Sequence, residues 1–289
     1  GLVLATADLS DLVRDPQRAL TPLVVVFGLV TFLGALLASI GVFFYIFIPG
    51  LSPDLARRGY GSHRTSVAII AAGMIAGAVL GLPFLLLTGQ LPRLGVGNGG
   101  MAPLGLGLAI IGSQLGLLLV TWWRVLRHGL TTPRMMGVVG MAPGRLVKAG
   151  VVTWLAMLTL VAVVSLALRQ IGVQQTQQAM FSPVTDATGW EFLIILFGGG
   201  VMAPVVEETL FRGYIFRAYL ETKGATAAFF YSALFFTVVH FNLPALLPIF
   251  IVGLVLAYAF HATRSVIPSM IAHSLNNSVA LTVIYLGLV

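Results

Sequence analysis

Eight long apolar runs leave this chain few ways to fold. They read as Pro22–Ile48, Ser66–Leu87, Leu104–Val125, Ala149–Leu168, Phe192–Glu221, Ala225–Phe241, Pro244–His261 and Val266–Leu288. A bilayer core is about 30 Å thick and a helix rises about 1.5 Å per residue, so a span needs roughly 20 apolar residues. Inside lipid the chain must pair its own backbone groups, which leaves helices or a closed barrel. Barrel strands alternate apolar and polar residues, and these runs do not. The expected fold is an all-α membrane protein, an eight-helix transmembrane bundle.

Composition closes off the alternatives. Only 9% of the 289 residues are charged and 58% are hydrophobic, against about 25% charged in an ordinary soluble domain. A soluble enzyme, a disordered chain and a nucleic-acid module are all excluded on this ground. The net charge of +7 comes from 16 basic and 9 acidic residues, with the bases set between apolar runs, so no nucleic-acid partner is expected. There are no cysteines, which removes disulfides, thiol catalysis and Cys-based metal sites.

Residues 1–21 form a polar arm with Asp8, Asp11, Arg14, Asp15 and Arg18. Its mixed charges do not read as a signal peptide, and an interfacial helix is expected. Residues 22–189 then hold four transmembrane helices and residues 190–289 a four-helix core. The Gly95–Gly100 segment falls between two runs and reads as a loop. Twelve of the 16 cations fall in the odd-numbered connections, which places those connections in the cytoplasm. Gly73, Gly77 and Gly81 recur every four residues, as do Gly112 and Gly116, a spacing suited to close helix packing within one chain.

Ionisable groups inside a span cost about 2.5–3.5 kcal/mol each on insertion scales, so each needs a reason. Of the carboxylates, only Glu207 and Glu208 lie well inside a run. His240 and His273 also fall in or at the end of runs, and Asn276 and Asn277 follow His273. Residues four apart share a helix face, whereas neighbours diverge by about 100°. Glu208 can therefore pair with Arg212, which leaves Glu207 pointing elsewhere without that cation. A carboxylate placed so can act as a base. His273 shares a face with Asn277, and Phe236 with His240. Glu207 and His240 lie equally far in sequence from the turn at Lys223–Gly224, so an antiparallel hairpin would set them level. Pro204 lacks a backbone donor and should bend the helix just before the acidic pair. Convergence of Glu207, His240, His273 and Asn277 on one cavity is the expectation.

These residues resemble the type II CAAX prenyl endopeptidase family, also called CPBP. Its Glu-Glu-x-x-x-Arg motif is similar to Glu207–Arg212, its Phe-x-x-x-His motif to Phe236–His240, and its His-x-x-x-Asn motif to His273–Asn277. The resemblance covers roughly residues 190–280. It implies an intramembrane glutamate endopeptidase in which Glu207 and His240 activate water and His273 and Asn277 stabilise the oxyanion. Glu208 and Arg212 would orient the first glutamate.

The same residues leave other readings open. Glu207, His240 and His273 could hold Zn²⁺ with water in the fourth position, although the reading without a cofactor is preferred. A non-catalytic scaffold or immunity protein of the same family is a second possibility, and a proton-coupled transporter a third. The implied partners are membrane lipid and a peptide or lipid-anchored protein substrate, with a prenylated CAAX-like tail as one form. The Arg-rich, Lys-poor composition points to a multi-pass protein of a prokaryotic cell membrane.

Overall fold

The computed structural model describes residues 60–87, 103–138, 142–173, 179–240, 242 and 244–288. The polar arm, the first apolar run Pro22–Ile48 and the loop Gly95–Gly100 lie outside the described residues. Among the described residues the structure is helical and without strands. Seven helices carry it. They are α1 (His63–Leu87), α2 (Pro103–Thr121, continued by a wider π turn to Leu126), α3 (Pro143–Gln170), α4 (Gly189–Lys223), α5 (Ala225–Val238), α6 (Leu246–Thr263) and α7 (Ile267–Tyr285).

Five of these are long and apolar enough to cross a membrane: His63–Gly81, Pro103–Leu126, Pro143–Gln170, Gly189–Lys223 and Leu246–Thr263. The protein is thus an integral, multi-pass membrane protein. The expectation of eight spans is met only in part. The sixth run ends as a helix at Val238, after 14 residues. Asn242 and Pro244 follow outside the helix. His240 therefore sits on the turn beyond α5, its N–H bonded to the Thr237 carbonyl at 3.2 Å. The eighth run forms α7, but Ser269, His273, Asn276 and Asn277 dilute its apolar character.

The glycines spaced by four meet within the chain. A Cβ on Gly112 would lie 2.7 Å from Cα of Gly81, and one on Gly77 would lie 2.6 Å from the Ser113 carbonyl. Backbones in such contact gain dispersion energy that lipid tails cannot match. On its other side α2 meets α4, where a Cβ on Gly107 would lie 2.8 Å from the Ile194 side chain. Helix α3 shows the opposite pattern. It rests on α7 through Gly150, which faces Ile271 and the Pro268 carbonyl. Val152, Leu155, Val163 and Leu166 on its outer side are more than half exposed, the arrangement of a helix whose outer face meets lipid tails.

Helix α4 is continuous but not uniform. Two π stretches, Leu196–Met202 and Phe211–Phe216, flank the α-helical turns that carry the acidic pair. The first has a local cause. The Ala203 N–H reaches back five residues to the Gly198 carbonyl. Pro204 has no N–H to extend that pattern to Gly199. The Gly199 carbonyl is left for a side chain, and Asn277 Nδ2 of α7 donates to it at 3.1 Å. The second stretch is supported likewise: Ser232 Oγ donates to the Phe211 carbonyl at 3.0 Å and Thr131 Oγ1 to the Gly213 carbonyl at 2.7 Å. Gly224, with φ of +86°, then turns the chain into α5.

Gly116 tests the α1–α2 contact. Gly116→Val would drive a side chain into the backbone of Ala76 and Gly77, which cannot move as a rotamer can. Overpacking of this kind costs about 1–3 kcal/mol. The expected outcome is a clear fall in melting midpoint in detergent, measured beside a lipid-facing Val152→Leu control that leaves it unchanged.

Candidate active site

Arg212 is the largest fully buried side chain in the protein's described residues, and its charge requires compensation. Nη1 donates to Glu208 Oε1 at 2.7 Å and Nη2 to the Gly253 carbonyl of α6 at 2.9 Å. The guanidinium carbon lies 4.5 Å from the centroid of the Phe236 ring, within the range of a cation–π contact. Glu208 is likewise fully buried, and its Oε1 takes a second bond from His273 Nδ1 at 3.0 Å. Residues of α4, α5, α6 and α7 thus close on one ion pair.

Phe236 is the hub of this knot. Its ring meets Phe211 edge-on at 5.4 Å and His273 edge-on at 5.5 Å, and stands 4.6 Å from the His240 ring. His240 Nδ1 lies 2.6 Å from the Phe236 carbonyl. A carbonyl only accepts, so Nδ1 carries the hydrogen. The same logic sets Nδ1 of His273 as donor to the Glu208 carboxylate. Asn277 is oriented by its bond to Gly199, and its Oδ1 accepts from Asn276 Nδ2 at 3.4 Å.

Glu207 turns to a different neighbour. Its Oε1 accepts from Gln114 Nε2 of α2 at 3.3 Å, while Oε2 is buried with no hydrogen-bond partner. Glu207, Gln114, Ser113, Ile70 and Val239 contribute to the lining of a cavity of about 90 Å³. That is room for several waters, since one needs about 10–15 Å³ on this measure. Val239, the neighbour of His240, brings the end of α5 to the same cavity.

Of the residues singled out by sequence, Glu208, Arg212, Phe236 and His273 form one connected group, with the His240 ring tilted against Phe236. Asn277 is tied to the first π stretch and Glu207 to α2. Spacing alone found the Glu208–Arg212 pair. It gave no sign of Gln114, which stands 93 residues from Glu207 in sequence; a lone amide inside the third apolar run was the available signal. Among the described residues no three His, Asp or Glu side chains are arranged to hold a metal ion. The alternative ligand set Glu207, His240 and His273 is therefore not assembled as a metal site.

The family model described as Type II CAAX prenyl endopeptidase Rce1-like matches residues 189–279. The segment starts with α4 and ends within α7, and it contains all three motifs. Residues 189–279 are thus a domain of this protease family. Helices α1, α2 and α3 lie outside the match. No curated protein and no solved structure matches the chain.

The two glutamates should separate by stability. Glu208→Gln leaves Arg212 and His273 without their carboxylate, and breaking a buried pair costs about 3–5 kcal/mol. Its melting midpoint in detergent should fall well below that of the parent. Glu207→Gln removes a charge that has no bonded cation and should melt at or above the parent. The reverse order would show that the two roles are exchanged.

Proposed function

We propose that the protein is an intramembrane endopeptidase that hydrolyses a peptide bond of a membrane-associated protein or lipid-anchored peptide. The observation that carries the reading is the Glu207 carboxylate within the matched segment. One of its oxygens is bonded, and the other is buried without a partner on residues that line a water-sized cavity.

In this reading a water in the cavity gives a proton to Glu207, with His240 Nε2 accepting its second hydrogen bond. The resulting hydroxide adds to the scissile carbonyl carbon. Negative charge collects on the carbonyl oxygen, where His273 Nε2 and the second Nδ2 hydrogen of Asn277 serve as donors. With Nδ1 already bonded to Glu208, donation from Nε2 requires the doubly protonated His273 ring, whose charge the Glu208 carboxylate offsets. Collapse of the tetrahedral adduct breaks the C–N bond, and the proton held by Glu207 passes to the leaving amine. Donors fixed in advance at a developing oxyanion contribute about 2.7–4 kcal/mol each in such sites. The base role of Glu207 and His240, the oxyanion role of His273 and Asn277, the glutamate subclass, the four-helix boundary at 190–289 and the eight-span topology all belong to this proposal.

Purified protein incubated with membrane peptides and followed by mass spectrometry tests the activity. The parent should generate new peptide termini, and Glu207→Gln should slow single-turnover cleavage by about 10²–10⁴-fold, the range typical of a lost general base. Dialysis against a strong chelator should leave the parent rate intact. A parent without activity would favour the scaffold reading, and chelator loss restored by Zn²⁺ would favour the metal one.

Orientation has its own test, since a chain without cysteine offers no labelling background. Arg134→Cys lies in the exposed turn after α2 and Gly172→Cys in the turn after α3. A membrane-impermeant maleimide added outside intact cells should label Gly172→Cys and spare Arg134→Cys. The opposite labelling would invert the proposed topology.

A further inference from the structure

We infer that Gln114 is a positioning residue for the Glu207 carboxylate, delivered by a helix outside the matched protease segment. This inference rests on the reading of Glu207 as the base.

Gln114 is a buried amide in the middle of an apolar helix, where an aliphatic side chain would pack without desolvating polar atoms. Its amide has one bond, from Nε2 to Glu207 Oε1 at 3.3 Å, and its own Oε1 is buried without a partner. An ionised carboxylate only accepts, so the amide must present its NH₂ to Glu207 and aim its oxygen elsewhere. The consequence is a division of labour within one carboxylate. Gln114 occupies Oε1, and Oε2 is left for a water. The amide oxygen is a further acceptor from a residue lining the same cavity.

The backbone around Gln114 is fixed on both sides. Two residues before it, Gly112 lies against Gly81, and two residues after it, Gly116 lies against Gly77. Ser113 packs its carbonyl on Gly77 as well. A side chain on such a helix offers the carboxylate a partner on a fixed backbone, and a misplacement of about 1 Å can cost about 10²-fold in rate. Other charged groups near Glu207 are Glu208 and Arg212 on its own helix. The faces of α1 and α2 toward the cavity contribute Ile70, Met74, Ser113 and Leu117, none of them ionisable.

The test uses the full chain in detergent. Only four glutamates are present, so infrared bands of ¹³C-glutamate protein can be assigned by difference with Glu207→Gln. In Gln114→Met, and in Gln114→Leu as a second replacement, the Glu207 carboxylate band should shift while the melting midpoint holds or rises. Cleavage in these variants should fall through kcat by about 10²-fold, the scale of a small misplacement, with KM nearly unchanged. If the parent cleaves and the Glu207 band stays in place in Gln114→Met, the role of Gln114 is overturned and the base reading stands. If the parent cleaves nothing, the base reading falls and this role falls with it.

Discussion

A guanidinium sealed inside a membrane bundle sets the terms for everything packed around it. Arg212 could not be buried alone, because a charge in lipid without compensation is expelled or neutralised. Its partners come from separate helices: the Glu208 carboxylate one turn back on α4, the Gly253 carbonyl on α6 and the Phe236 face on α5. His273 joins from α7 through the same Glu208 oxygen. The four helices of the protease domain are thus bound to one another by a single ion pair. Its Coulomb attraction is not what makes it indispensable, since a buried pair roughly balances its desolvation penalty. What holds the arrangement is the penalty for losing any one member.

The backbone of α4 does a second part of this work. Two π stretches bracket the acidic pair, and such stretches leave carbonyls without their usual donors. In lipid each vacant carbonyl must find a partner within the protein. Asn277, Ser232 and Thr131 donate to three carbonyls of these stretches from three different parts of the chain. The missing N–H of Pro204 therefore has an effect well beyond a bend. It creates the acceptor that orients Asn277, so a backbone irregularity on α4 fixes a side chain on α7.

The α1–α2 pair stands outside the recognised domain yet meets it at the acidic pair. Glycine contacts bring the backbones of α1 and α2 together, and α2 in turn lies against the first turns of α4. Gln114 is the polar group this geometry carries to Glu207. The two adjacent glutamates consequently sit in unlike surroundings, one fully buried on Arg212 and His273 and the other half-buried beside a cavity.

Sequence by itself determined the helical membrane class, because runs near the length of a bilayer core have no other way to pair their backbone. It determined the Glu208–Arg212 pair and the contrast with Glu207, since both follow from helical periodicity within a few residues. That the glycines suit close packing within the chain was legible for the same reason, as small residues repeating every four leave a flat helix face, but the pairing of Gly77 with Gly116 was not. Sequence did not reveal where α5 stops, since apolar residues continue past Val238 and only the turn shows it. Nor did it reveal that His273 bonds Glu208, or that Gln114 bonds Glu207. Those contacts join residues 65 and 93 positions apart. They depend on the rotation and depth of whole helices against one another. Helix periodicity decides which residues share a face, but only the packing of whole helices decides which faces meet.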